Sequence, residues 1–173
     1  MTKKHNPETE AKTLRERAGA RTVPVSLERI AKYLGAEIRL AALDDELSGM
    51  IFIKDGVPVI GVNAMHHINR QRFTIAHEIG HLVMHRSIVG AKVHVDKRFP
   101  VLMRNSMSSA GTVNIEIEAN KFAAALLIPR DVLEDYLGEK IIDIEDDRPL
   151  EDLARKFKVS KQAIEYRIRN IMS

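Results

Sequence analysis

The residues of this chain best equipped for chemistry are His77-Glu78-Ile79-Gly80-His81. On a helix, positions four apart share one face, so both imidazoles reach a single metal ion. Glu78 lies about 100° round from His77, beside such ligands rather than among them. From there it can accept a proton from an attacking water and hand it to a leaving amine. An ion held this way lowers the pKa of a water towards roughly 7 and polarises a carbonyl. Two imidazoles and one carboxylate, with a fourth position open, suit zinc, although manganese or iron can take the same groups. The chain has no cysteine, so every ligand must come from His, Asp or Glu.

A third ligand is required. His85 continues the series but lies two turns from His77, about 12 Å along the axis, which suits a supporting group or a helix-end cation better. The stretch Glu116-Ile117-Glu118-Ala119-Asn120-Lys121-Phe122-Ala123 offers a better candidate in Glu116. Its face carries Ala119, Asn120 and Ala123, small enough for a close approach to the metal helix. Asn120 can accept a hydrogen bond from a ligand imidazole and fix its tautomer. Glu118 is expected to point elsewhere, alongside Phe122.

The elements that must position these groups form an α+β pattern: a small, mainly antiparallel sheet packed with several helices, one of them a zincin-like metal-binding helix. Residues 1 to about 22 are polar and charged, a loosely helical lead-in. Ser26 caps a helix with Leu27, Ile30, Ala31 and Leu34 on one face and Gly35 at its end. Ala36, Ile38 and Leu40 alternate with Glu37 and Arg39 as a half-buried strand. Asp55-Gly56 between two apolar runs predicts a hairpin. Pro58 requires an edge strand or a free amide side. A long helix follows over about 66–85, with Ile68, Ile75, Ile79, Leu82 and Val83 buried. One more strand is expected at Val93 to Val95. The Ser- and Gly-rich Asn105 to Thr112 reads as a mobile loop able to cover a cleft. Helices are expected over 114–128, ended by Pro129, and over 131–137. An acidic turn at 143–147 precedes two final helices over 150–157 and 160–171. The division expected is a lead-in at 1–22, the metal-centred domain at 23–140 and a helix-turn-helix-like segment at 148–173.

Composition narrows the setting. An apolar fraction of 45% and a charged fraction of 29% are those of a globular protein, and a net charge of +3 is too small to argue for nucleic acid. The start, Met1-Thr2-Lys3-Lys4-His5, leads into no apolar segment, and no apolar run approaches the roughly 20 residues of a membrane span. A cytoplasmic location with no membrane partner is the expectation.

Two stretches of the sequence resemble the ImmA/IrrE metallo-endopeptidases: Arg72-Phe73-Thr74-Ile75-Ala76-His77-Glu78-Ile79-Gly80-His81, with His85 after it, and Glu116 through Pro129. The resemblance implies a gluzincin-like site, with His77, His81 and Glu116 on zinc and Glu78 as general base. Asn120 stands where gluzincins commonly carry an Asp, so its supporting role departs from the pattern. The resemblance further implies a zinc-dependent endopeptidase making a limited cut in a helix-turn-helix transcriptional repressor, relieving repression in a mobile element or a stress response.

The last helices leave other classes open. Leu153, Ala154, Phe157 and Val159 would form a small core, and Ser160 would cap a helix bearing Lys161, Arg167 and Arg169. That arrangement can read DNA, dock a substrate or pack as an ordinary helix pair. A DNA-binding or antitoxin-type regulator with a structural zinc is therefore the alternative. Tyr136 is a candidate oxyanion donor, more readily a packing residue. An extended substrate could add to an edge strand at Met50 to Lys54.

Overall fold

A computed structural model of the chain describes residues 5–91, 94–97, 106–138 and 146–173. The expected polar lead-in carries a helix, α1 (Pro7–Arg17), whose N-cap Asn6 accepts from the amides of Glu8 and Thr9. Ala11 and Leu14 are buried, so this end of the chain joins the core rather than trailing from it. Arg15 is buried too, and its guanidinium makes a two-pronged pair with Asp131 at 2.8 and 2.7 Å. In α2 (Leu27–Leu34) Ser26 caps through the Arg29 amide, and Gly35 ends the helix in the left-handed region.

A four-stranded sheet runs in the order β1 (Glu37–Ala41), β3 (Val57–Asn63), β2 (Leu47–Lys54), β4 (His94–Lys97). β1 is parallel to β3; β2 is antiparallel to both β3 and β4. Asp55 and Gly56 both have positive φ, 51° and 78°, the two-residue turn whose twist matches its strands. Pro58 faces Ile53 and lies one residue before the first β1 pair, Glu37↔Val59. No ladder bond is therefore asked of its nitrogen.

Two strand expectations need correction. β2 is an interior strand, because β4 pairs with Leu47 and with Gly49 to Ile51, so Met50 and Ile51 present no free edge to an extended peptide. Among the described residues β1 and β4 are the outer strands instead, and Leu40 of β1 is exposed, one face of an outer strand having no layer to meet.

Helix α3 (Ile68–Met84) lies against the sheet on one side and α5 (Ser106–Leu127) on another. Every residue from Thr74 to Leu82 is buried, the signature of a helix enclosed on all sides. Ile68, expected inside, is exposed at its first turn. α4 (Arg86–Ala91) follows directly. α5 begins at Ser106, so the segment from there to Thr112 is helix and not loop. Ser is an ordinary helix residue and the single Gly111 costs about 1 kcal/mol relative to alanine, while extending an existing helix is far easier than nucleating one. Phe122, Ala123, Leu126 and Leu127 are buried in its other half, and Ile128 just after it is buried too. Among the described residues no helix is long and apolar enough to cross a membrane. Val93, Asn105 and residues 143–145 of the expected acidic turn lie outside the described residues.

α6 (Arg130–Leu137) leads towards α7 (Asp147–Phe157) and α8 (Lys161–Met172), capped by Asp146 and Ser160. Ala154, Phe157, Val159, Ile164 and Ile168 form the buried seam of this pair. Asn69 and Arg72 of α3 tie the connection down, donating to the carbonyls of Val159 and Lys158 at 3.1 and 3.3 Å. Burial pushes the Arg72 guanidinium below its usual range, with the nearby Glu28 charge opposing.

Candidate metal centre

His77 and His81 project from one face of α3, four residues apart, and are 3% and 1% exposed. The α3 backbone can come close to α5 because position 80 is glycine. A Cβ there would stand 3.1 Å from the Phe122 ring and 3.3 Å from the Ala119 Cα and carbonyl oxygen. With Ala119 at the centre of this contact, its neighbours at 118 and 120 lie about 100° to either side and straddle α3.

Asn120 takes one flank. Its Oδ1 lies 2.9 Å from His77 Nδ1. An amide oxygen only accepts, so Nδ1 carries the hydrogen and His77 Nε2 presents its lone pair. That nitrogen sits 3.0 Å from His81 Nε2 and 3.0 Å from Glu116 Oε2, while Glu116 Oε1 is 3.3 Å from His81 Nε2. One ligand atom from each of His77, His81 and Glu116 therefore lies within 4.8 Å of the others. Basic nitrogens and a carboxylate converging this tightly fit a divalent cation, and the ligand types are those zinc favours. Glu116 is the partly exposed member, its side chain 32% accessible, so the cluster opens to solvent on that side.

Glu118 takes the other flank, outside the group of three converging ligand atoms, where its carboxylate meets His85. Its Oε2 lies 2.9 Å from His85 Nε2, and His85 Nδ1 lies 3.2 Å from His81 Nδ1. His85 is the C-cap of α3, with its amide bonded to the His81 carbonyl. The sequence signal for this chain of contacts was the i, i+4 step from His81 to His85. Nothing local paired it with Glu118.

Glu78 is fully buried. The strand β2 presses towards it at Gly49, where a Cβ would stand 3.7 Å from Glu78 Oε1, 2.5 Å from Thr74 Cγ2 and 2.8 Å from the Gly61 carbonyl. Next to Gly49, Ser48 Oγ accepts from the Arg70 guanidinium at 2.7 Å, which fastens β2 to α3. A carboxyl enclosed in this way is shielded from bulk water and held in place by packing.

Other candidate residues lie elsewhere. Tyr136 packs edge-on to Phe157 of α7, with the Lys156 ammonium 3.5 Å over its ring, contacts that suit a packing residue. Arg167, expected on a DNA-reading face, is buried. Its guanidinium grips Glu8 at 2.5 and 2.7 Å and donates to the Ile128 carbonyl at 2.9 Å. Lys161 pairs with Asp147 at 2.6 Å, and that contact together with a nearby Glu165 raises its pKa. Of the three basic residues, two are thus engaged within the protein.

Residues 31–169 match the sequence pattern of a family described as the IrrE N-terminal-like domain, a family of peptidases. No curated protein matches the chain. Among solved structures, a Mycobacterium tuberculosis transcriptional regulator aligns with a TM-score of 0.62 at 21% identity, covering 92% of this chain and 45% of that one. Identity at that level speaks to the fold, and this chain spans less than half of that protein.

Proposed function

This chain belongs to the peptidase family of the IrrE N-terminal-like domain, and on that premise we propose that it is a zinc-dependent endopeptidase making a limited cut in a helix-turn-helix transcriptional repressor. The convergence of His77 Nε2, His81 Nε2 and the Glu116 carboxylate within 4.8 Å carries the reading. These three are the ligands. Zinc, when bound, polarises the scissile carbonyl and makes a water more acidic.

The protein's own groups do the rest. Asn120 holds the His77 ring with its lone pair inward. Glu78 takes a proton from the attacking water as the oxygen adds to the peptide carbon. It then gives that proton to the departing amine nitrogen as the C–N bond breaks. Enclosure by Gly49, Thr74 and α3 keeps its carboxyl from competing water. The partly exposed Glu116 side is where an extended substrate segment reaches the centre. The regulator among the structural neighbours supports a transcriptional setting for the substrate.

The test compares cells producing the wild type with cells producing Glu78→Gln, scoring new protein N-termini by mass spectrometry. The expected result is a new N-terminus within a helix-turn-helix protein in the first and none in the second, with equal zinc in both purified proteins. Removing a general base should lower the rate by about 10²- to 10⁴-fold. Cleavage by Glu78→Gln at the wild-type rate would refute the role given to that residue.

A further inference from the structure

We infer that His85 and Glu118 are positioning residues of the metal centre, a hydrogen-bonded chain that holds the His81 ring with Nε2 towards the ion. The inference rests on the reading above in one respect: that His81 is a ligand.

The direction of the chain follows from its outer end. A carboxylate only accepts, so the contact of 2.9 Å between Glu118 Oε2 and His85 Nε2 has the imidazole N–H donating. In a neutral imidazole the other nitrogen then carries a lone pair. His85 Nδ1 is that nitrogen, and it faces His81 Nδ1 at 3.2 Å. His81 Nδ1 must therefore be the donor, which leaves His81 Nε2 as the lone pair directed at His77 Nε2 and Glu116. Each bond selects the next, from a carboxylate on α5 to a ligand nitrogen on α3.

The arrangement differs from the one on His77. There the Nδ1–H ends on the neutral amide oxygen of Asn120. On His81 it ends, through a second ring, on a charged group. A carboxylate at the end of such a chain draws the N–H and makes the far nitrogen a stronger donor to a metal. Two ligands of one type are thus tuned differently. The two devices sit one residue either side of Ala119, so both depend on the close approach that Gly80 allows.

His85 is 8% exposed, whereas the Glu118 side chain is 37% exposed and borders a cleft of about 610 Å³ between α1, α5 and α8. Changes at Glu118 therefore disturb the core least, and they give the cleaner test.

The experiment measures zinc affinity by competition with a chromophoric chelator for wild type, His85→Ala, Glu118→Ala and Glu118→Gln. Long-range ¹H–¹⁵N correlation spectra of the metal-free proteins report the His81 tautomer. The two alanine variants should bind zinc about 10- to 100-fold more weakly. Glu118→Gln keeps an acceptor without the charge and should fall between them and wild type. Metal-free wild type should show His81 protonated at Nδ1, and His85→Ala should show a mixture. If His85→Ala does not fold, the two Glu118 variants still decide the matter.

Zinc affinities within twofold of wild type in both alanine variants would overturn the inference, as would a wild-type His81 protonated at Nε2. Tight zinc in wild type with unchanged variants would remove this inference alone. No zinc uptake by wild type would remove it together with the proposed function. Cleavage by Glu78→Gln beside the expected zinc losses would remove only the role of Glu78.

Discussion

Replacing Gly49 by alanine should destabilise the fold and disturb the surroundings of Glu78 together. The added Cβ would lie 2.5 Å from Thr74 Cγ2 and 2.8 Å from the Gly61 carbonyl oxygen. Carbon atoms rest at about 3.5–4.0 Å, so the overlap with Thr74 is about 1 Å. Thr74 is buried in α3, and Gly61 Met50 pairing fixes that carbonyl within the sheet. Neither neighbour can withdraw without moving β3 or α3. Overpacking of this kind costs about 3 kcal/mol, against which alanine recovers about 0.5–1 kcal/mol of backbone entropy relative to glycine. The net loss is about 2 kcal/mol, a fall in Tm of about 4–8 °C for a chain of this size. Thermal unfolding by circular dichroism reads it directly. Adding Thr74→Ser removes the nearer methyl but leaves the Gly61 oxygen, so the double variant should recover about half of the loss. A Gly49→Ala protein melting within 1 °C of wild type would refute the close approach of β2 to α3. Full recovery in the double variant would instead show that the carbonyl contact contributes nothing.

Two further outcomes follow from ion pairs at a distance from the metal centre. Arg167→Met keeps an apolar stem but abandons Glu8 and the Ile128 carbonyl. Since the Glu8 side chain is 44% exposed and can rehydrate, the loss should be about 2 kcal/mol by urea unfolding; an unchanged midpoint would contradict a bracing role. At Asp131 burial pushes the carboxyl pKa up, but hydrogen bonds and charge from Arg15, with backbone amides, outweigh it and leave the pKa lowered. A lowered folded-state pKa stabilises above the unfolded value of about 3.9 and loses that contribution as the pH falls through the folded value. Asp131→Asn should therefore lower Tm at pH 7, with the difference from wild type shrinking below about pH 3.9; a difference that grows on acidification would refute the assignment.

Much of the local structure was readable because its causes act over a few residues. Ser26 and Ser160 each cap a helix through an amide three positions on, and Asp55-Gly56 encodes its turn in two backbone conformations. The four-residue step from His77 to His81 places both rings on one face of any helix that contains it. The small face of Glu116, Ala119, Asn120 and Ala123 likewise announced a helix able to come close to another. Short chemistry of this kind needs no knowledge of what lies across the fold.

What the sequence by itself determined, then, was the set of elements with local punctuation and the residues able to chelate. Tertiary structure decided which of them meet. β4 turned β2 from an edge into an interior strand. Arg167, a surface cation by composition, became a buried brace because Glu8 reaches it from 159 positions away. Glu118 faces His85 across 33 positions, and only the centring of Ala119 on Gly80 brings it there. The physical reason is common to all three. Capping and turn propensities are written in neighbouring residues, whereas a contact between distant segments depends on how whole helices and strands pack, and a single residue type carries no mark of its eventual partner.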